Sequence, residues 1–348
     1  MESGTQSVVG SPASQSVAAA SALNGPILIA GYGSIGRRHF QNLSALGCRN
    51  FVFYRSRQGT IDDAEVRDFP STNNLAEALS YRPAVAIIAN PTALHCDVAL
   101  QAANAGCDLY IEKPLADKRD RLKELASVVR EHKLVTMIGC QFRFHPLLIQ
   151  LREQIHAGRI GRIIGASAEW GEYLPGWHPW EDHRKSYSSR PELGGGVILT
   201  LIHCLDYLYW LFGRPNRVNA VTTKVPSLET VAGEDFAEIT AEFPDGVVGR
   251  IHLDYIQRPP VHRLTVVGDA GRACWDFHAG ELSWTRVDGQ SEHQHVPPTF
   301  DRNAMFMDAM QHFLNCAANR SSTSIPLADG IQVLEMALHA REAAGVPA

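Results

Sequence analysis

At 348 residues, 45% hydrophobic and 20% charged, with a formal charge of -5, the chain has the composition of a globular protein with room for two domains. The lack of a basic excess argues against nucleic acid or acidic membrane as partners, and no apolar run reaches the roughly 18 to 20 residues that cross a bilayer. Seven cysteines (Cys48, Cys96, Cys107, Cys140, Cys204, Cys274, Cys316) stand singly with no C-x-x-C pair, which predicts free thiols in a reducing compartment, taken as the cytoplasm.

Residues 1–24 are rich in Ser, Ala and Gly and carry no basic stretch ahead of an apolar one, so they read as a disordered tail and not as a secretory signal. The pair Arg37-Arg38 follows an apolar strand instead of preceding one, unlike a twin-arginine signal. From residue 25 to 145 short apolar runs alternate with amphipathic segments, the pattern of a doubly wound parallel α/β sheet, a Rossmann domain. Strands are predicted at Ile27–Ala30, Phe51–Tyr54, Ala84–Ala89, Asp108–Ile111 and Leu134–Gly139. Helices fit the spacing of Ile35, His39, Phe40, Leu43 and Leu46, and the stretches Leu75–Ser80, Ala93–Ala105 and Arg119–His132. In such a sheet Gly31, Arg55, Asn90, Lys113 and Gln141, each at a strand end, share one crevice.

From residue 146 to 348 the rhythm changes to longer strands joined by hairpins, predicting an α+β domain with an open, mostly antiparallel sheet. Ile239, Ala241 and Phe243 alternate with Glu238, Thr240 and Glu242, and Pro244-Asp245-Gly246 turns the chain into Val247–Tyr255. Further strands fit at Arg162–Trp170, Arg217–Lys224, His262–Gly268 and Arg272–Phe277. Val197–Phe212 is apolar almost all round and reads as one buried helix, with Thr200, His203, Asp206 and Trp210 on a stripe.

Gly31-Tyr32-Gly33-Ser34-Ile35-Gly36 follows a strand and opens a helix, the context in which G-x-G-x-x-G marks a dinucleotide site. Gly31 permits the tight turn, Gly33 a close approach of the pyrophosphate to the backbone, and Gly36 close packing of helix on strand, while Ser34 and Ile35 bring the helix start to the phosphates. The second strand ends in Tyr54-Arg55-Ser56-Arg57, with no carboxylate for a ribose 2'-hydroxyl. That favours NADP(H), with NAD(H) the alternative if Arg55 only stacks on adenine.

Three more segments carry a resemblance: Asn90-Pro91-Thr92-Ala93-Leu94-His95, Glu112-Lys113-Pro114, and Gly194-Gly195-Gly196 leading to His203 and Asp206. With the glycine fingerprint they resemble the glucose-fructose oxidoreductase, inositol dehydrogenase and rhizopine catabolism (Gfo/Idh/MocA) family over nearly the whole chain from Pro26. The resemblance implies a Rossmann domain, a C-terminal open sheet that mediates homodimer or homotetramer formation, and hydride transfer between NAD(P) and a sugar, cyclitol or nucleotide sugar. It implies a cofactor site that takes in Asn90, Pro91, His95, Glu112, Lys113 and Gln141. Many members carry an Asp one turn before the equivalent of His203, where this chain has Leu199 and Thr200.

Chemistry gives the same residues roles. Lys113 at a strand end can steady the alkoxide that forms as hydride leaves, and His203 is the candidate base, with an ordinary pKa near neutrality. Thr200 and Asp206 share the His203 stripe, and Arg143 follows the fifth strand, so all three are candidate substrate contacts. The stretch Glu169 to Arg190 holds Tyr173, Trp177, His178 and Trp180, aromatic faces and polar tips suited to a sugar, or else a subunit contact. No spacing closes a metal site. Two other readings stay open: a dinucleotide-binding sensor without turnover, and a redox-assisted glycosidase.

Overall fold

The computed structural model describes residues 24–56, 64–177, 179, 182–230 and 233–346. The predicted tail, and with it Arg57, His178 and Trp180, lies outside the described residues except for Asn24. The chain opens with β1 (Ile27–Ala30), α1 (Ser34–Ala45), β2 (Phe51–Tyr54), β3 (Ser71–Thr72), α2 (Leu75–Ser80), β4 (Val85–Ile88), α3 (His95–Asn104), β5 (Asp108–Ile111), α4 (Leu122–Glu131) and β6 (Thr136–Ile138). The strands form one parallel sheet in the order β3-β2-β1-β4-β5-β6. All residues of β1, β4 and β5 are buried, as runs of Ile, Leu and Val demand when helices cover both faces. Each such side chain removed from water contributes roughly 1.5 to 3 kcal/mol. The strand order reverses beside β1, and this opens the crevice at the carboxyl ends of β1 and β4.

Beyond α5 (Pro146–His156) come β7 (Ile163–Gly171), α6 (Val197–Thr200), α7 (His203–Phe212), β8 (Arg217–Thr223), β9 (Phe236–Glu242), β10 (Val248–Asp254), β11 (Val261–Gly268), β12 (Gly271–Asp276), β13 (Glu281–Arg286) and β14 (Ser291–His295). They build an eight-stranded sheet, β14-β13-β12-β11-β7-β10-β9-β8, antiparallel except where β10 runs beside β7. Ala168, Trp170, Ile251, Leu253, Leu264 and Val266 face the core, while Glu238, Arg250, Arg263 and their neighbours make the other face polar.

The single helix expected over Val197–Phe212 is corrected: the chain breaks after Thr200, and the segments Pro191–Thr200 and His203–Phe212 meet at 54°. A continuous helix would bond the Thr200 carbonyl to the Cys204 amide. Instead the Cys204 amide donates to Leu201 at 3.4 Å, and the Thr200 carbonyl is left for another donor.

The chain ends in α8 (Arg302–Asn319) and α9 (Leu327–Ala343), which cross the division drawn at residue 145. α8 packs against α1, and α9 against α4, β6, α7 and β8. The link between them lies along β6, with the Ile138 amide donating to the Ile325 carbonyl at 2.9 Å.

Candidate active site

Gly31 has φ +97°, and a Cβ there would lie 2.6 Å from the Asn90 nitrogen, so only glycine fits the turn. A Cβ on Gly36 would meet the Gly31 carbonyl oxygen at 2.1 Å, while around Gly33 there is open space. α1 starts on Gly33 with no side-chain cap, so its first N–H groups face outward beside that space. A dinucleotide fits this cradle: Gly31, Gly33, Ser34, Ile35 and Gly36 would hold its pyrophosphate on backbone donors.

At the end of β2, Arg55 donates from Nε to Ser71 Oγ at 2.7 Å, and its guanidinium lies 5.8 Å from the Tyr32 ring centroid. Ser56 beside it is exposed. A carboxylate that the strand-end rule does not find stands close by. Glu65 accepts from Arg37 Nη2 at 2.5 Å and Nε at 2.7 Å and from the Tyr32 hydroxyl at 3.1 Å. The hydrogen bonds of Arg37 hold its carboxyl down at about 2, so it is an engaged anion.

Deeper in the crevice Asn90 follows β4 with both amide atoms buried and unpartnered among the described residues, and Gln141 after β6 has its Oε1 in the same state. Such atoms are costly unless a ligand or water completes them. Pro91 beside Asn90 is exposed. His95 and Glu112, expected to touch the cofactor, are both engaged by neighbouring protein groups. His95 is 2% exposed, with Nδ1 2.9 Å from the Pro114 carbonyl and Nε2 2.8 Å from the Asn90 carbonyl. Burial lowers its pKa, and a neutral ring donates to one of these carbonyls at a time. Glu112 meets His39 Nε2 at 2.7 Å and accepts from the Lys113 amide at 3.3 Å. His39, one turn into α1, thus anchors the strand end that carries Lys113, a role helical spacing alone does not reveal.

Lys113 donates from Nζ to the Thr200 carbonyl at 2.8 Å, the oxygen freed by the helix break. His203 begins α7 at 1% exposure, its Nδ1 unpartnered among the described residues. Its pKa lies well below the ordinary value because of burial and then the nearby charge of Lys113, which corrects the expectation of a value near neutrality. The Trp170 indole lies nearly parallel to His203, 5.6 Å away at 21°, and to His262, 4.1 Å away at 10°. Trp170 and His262 come from neighbouring strands paired in register, a contact invisible before the sheet is known.

Arg143 and Asp206, expected as substrate contacts, have side chains 2% and 1% exposed that bond each other, Nη2 to Oδ1 at 2.7 Å and Nε to both oxygens at 3.1 Å. Arg143 also reaches Asp329 on α9 at 2.7 Å. Thr200 is buried, its hydroxyl beside that of Tyr255. Tyr173 and Trp177 are half-buried after β7, with Arg258 3.9 Å from the Tyr173 ring centroid and the Trp177 Nε1 without a partner among the described residues. Arg184 in that loop is taken by Asp182 and Glu229. Among the described residues no group of His, Cys, Asp and Glu forms a metal cluster.

The N-terminal profile of the GFO/IDH/MocA family, described as an oxidoreductase family with an NAD-binding Rossmann fold, matches residues 26–140, and its C-terminal domain profile matches residues 148–274. The chain belongs to the GFO/IDH/MocA oxidoreductase family. Among curated relatives of this GFO/IDH/MocA protein, the rhizopine catabolism protein MocA of Rhizobium meliloti is 27% identical over 266 residues, 74% of each chain. Levoglucosan dehydrogenase of Pseudarthrobacter phenanthrenivorans is 30% identical over 215 residues, 61% of this chain and 51% of that one. Among solved structures, a levoglucosan dehydrogenase in complex with NADH and levoglucosan superposes with a TM-score of 0.81 at 20% identity, covering 92% of this chain and 97% of the other. UDP-N-acetylglucosamine 3-dehydrogenase from Acidithiobacillus ferrooxidans gives 0.75 at 24% identity with the same coverage.

Proposed function

We propose that the protein is an NAD(P)-dependent dehydrogenase that moves a hydride between the nicotinamide and a hydroxyl-bearing or carbonyl carbon of a sugar, cyclitol or nucleotide sugar. The observation that carries this reading is the Lys113 ammonium fixed on the Thr200 carbonyl at 2.8 Å, close enough to His203 for its charge to act there, in the crevice of the glycine cradle. Oxidation of a carbinol removes one hydride and one proton. The nicotinamide supplies the hydride acceptor. Lys113 spends one N–H on Thr200 and keeps two for the substrate oxygen as negative charge builds there. His203, neutral because of its burial, takes the hydroxyl proton and returns it when the carbonyl is reduced. Tyr173 and Trp177 offer ring faces to the substrate, and relatives named for levoglucosan and inositol support a polyhydroxylated one.

We infer NADP(H) as the preferred cofactor, since Arg55 directly follows β2 and Glu65, close to the cradle, is engaged by Arg37. The seven cysteines are free thiols, which supports a cytoplasmic setting. The polar outer face of the second sheet is the proposed contact of a homodimer or homotetramer. The deciding experiment is turnover of the purified protein against a panel of sugars, cyclitols and nucleotide sugars with NAD and NADP. Reduced cofactor should accumulate with at least one of them. Tight cofactor binding with no turnover on any substrate would support the sensor instead.

A further inference from the structure

Lys113 carries its ammonium on a flexible four-carbon stem, and among the described residues its hydrogen-bond partner is the Thr200 carbonyl. Where the ammonium stands therefore follows from where that carbonyl stands. Thr200 closes α6, a single turn about 6 Å long at 1.5 Å per residue. The turn is closed by the Thr200 amide on the Gly196 carbonyl at 3.0 Å and the Leu201 amide on the Val197 carbonyl at 2.9 Å. One turn is not stable by itself and has no length over which to absorb a shift, so whatever fixes its start also fixes its end.

The start is held by Glu234, two residues before β9 and 3% exposed. Its backbone carbonyl accepts from the Val197 amide at 2.9 Å, and its side-chain Oε1 accepts from the Ile198 amide at 3.3 Å. One residue thus satisfies two of the N–H groups that a helix start leaves over. The carboxylate also lies over Gly196, φ +105°, where a Cβ would come within 2.6 Å of Oε1. Glu234 is fixed in turn by its buried neighbour Asp235, which accepts from the Val225 amide and the Thr230 hydroxyl, both at 2.9 Å.

Stability does not account for a carboxyl at this place. Its Oε2 is buried without a partner among the described residues, and burial pushes the carboxyl above its ordinary value. A buried polar group with an oxygen left over is costly, and an apolar side chain of the same size would fill the space more cheaply. What an apolar side chain could not do is hold the Ile198 amide.

We propose that Glu234 is a positioning residue for Lys113: through the Ile198 amide and the single turn of α6 it fixes the Thr200 carbonyl, and with it the ammonium that meets the substrate oxygen. The catalytic consequence rests on the dehydrogenase reading, whereas the placement of the ammonium rests on the hydrogen bonds alone.

The test compares Glu234→Met, which fills a similar space without an amide acceptor, with Glu234→Gln, which keeps the acceptor oxygen and drops the charge. Acylation of Lys113 by acetic anhydride in the full chain, read by mass spectrometry of its peptide, needs no substrate. It should run at least about threefold faster in Glu234→Met, where the amine is no longer held, and at the parental rate in Glu234→Gln. With a substrate that turns over, kcat should fall at least about tenfold in Glu234→Met while KM and the cofactor dissociation constant stay within about twofold, and Glu234→Gln should restore most of the rate. Should Glu234→Met not fold, Glu234→Asp withdraws the acceptor by one methylene and should show the same faster labelling. Parental labelling in whichever of the two folds would overturn the assignment, as would a loss of rate that Glu234→Gln does not restore. Absence of turnover on every substrate in the parent, with the labelling difference intact, would end the dehydrogenase reading and leave the positioning standing.

Discussion

The proposed pair, Lys113 and His203, is singled out in the sequence because strand ends in a doubly wound sheet share one edge, and because a His on an apolar helix has few places to go. Their environment could not, since burial comes from Trp170, Phe142 and His262 on other elements. That environment decides the pH dependence. Burial holds the His203 pKa well below its ordinary value, so as the proposed base it would be unprotonated at neutral pH, and the rate of oxidation should fall only on the acid side as the imidazole gains a proton. His203→Ala should erase that acid limb in a profile of kcat/KM against pH and lower kcat about a hundredfold. Lys113→Ala should lower kcat by at least about a hundredfold while cofactor affinity, followed by fluorescence titration, changes little. A rise of rate centred near pH 6.5 in the parent would assign the base elsewhere. Arg55→Asp should reverse the preference for NADP(H) over NAD(H), by on the order of 1 to 3 kcal/mol in the ratio of dissociation constants. Equal constants for the two cofactors in the parent protein would contradict the reading of β2.

Where hydrophobic periodicity was strong, the elements matched: β1, β2, α2 and β5 have the expected ends. The two-residue β3 is too short to carry a pattern, and β14 is Ser-Glu-His-Gln-His, a polar edge strand recognised only by its pairing with β13. β13 does alternate Leu282 and Trp284 against Ser283 and Thr285, and α8 repeats Met305, Phe306, Ala309, Met310 and Phe313 at helical spacing. Their signals were present, though the strands and helices read from the sequence ended at Phe277. The break at Thr200 had no signal, because a helix apolar on all sides has no periodicity to lose. Around that break α7 is fixed by the Arg143–Asp206 pair, joined to α9 through Asp329, and residues 143 and 206 are too far apart in sequence to be paired by inspection. Burial opposes the charge of Arg143, but the carboxylate of Asp206 outweighs it and leaves the guanidinium firmly protonated. Asp206→Ala strands that charge in the core and should cost about 3 to 5 kcal/mol of stability, read as a lowered urea midpoint. A loss below about 1 kcal/mol would mean that Asp329 or water suffices to hold Arg143.

At the scale of the whole molecule the eight-stranded sheet presents one face to α7 and, among the described residues, no helix or strand packs on the other. Strand register draws a row across it: Glu238 beside His252, His252 beside Glu169, Glu169 beside Arg263, and Arg263 beside Asp276. Bonding to Asp254 and then to Glu238 outweighs partial burial and raises the pKa of His252, so the row alternates in sign further into the neutral range. On the same face Val221, Val248 and Val267 are 73%, 53% and 45% exposed, apolar surface that a second copy would cover. A twofold axis brings such a row against its own reverse, where opposite charges can meet if the register is set correctly. Light scattering at micromolar concentration should therefore give a multiple of 38.2 kDa. Arg263→Glu places a carboxylate beside both Glu169 and Asp276 and should weaken association at least about tenfold, since the charge alternation is lost in both copies at once. Arg263 is about half exposed, so the fold should survive the change, and unaltered circular dichroism with a mass moving toward 38.2 kDa separates loss of assembly from loss of structure. A parent protein that scatters as 38.2 kDa would leave this sheet face as solvent-facing surface and end the assignment.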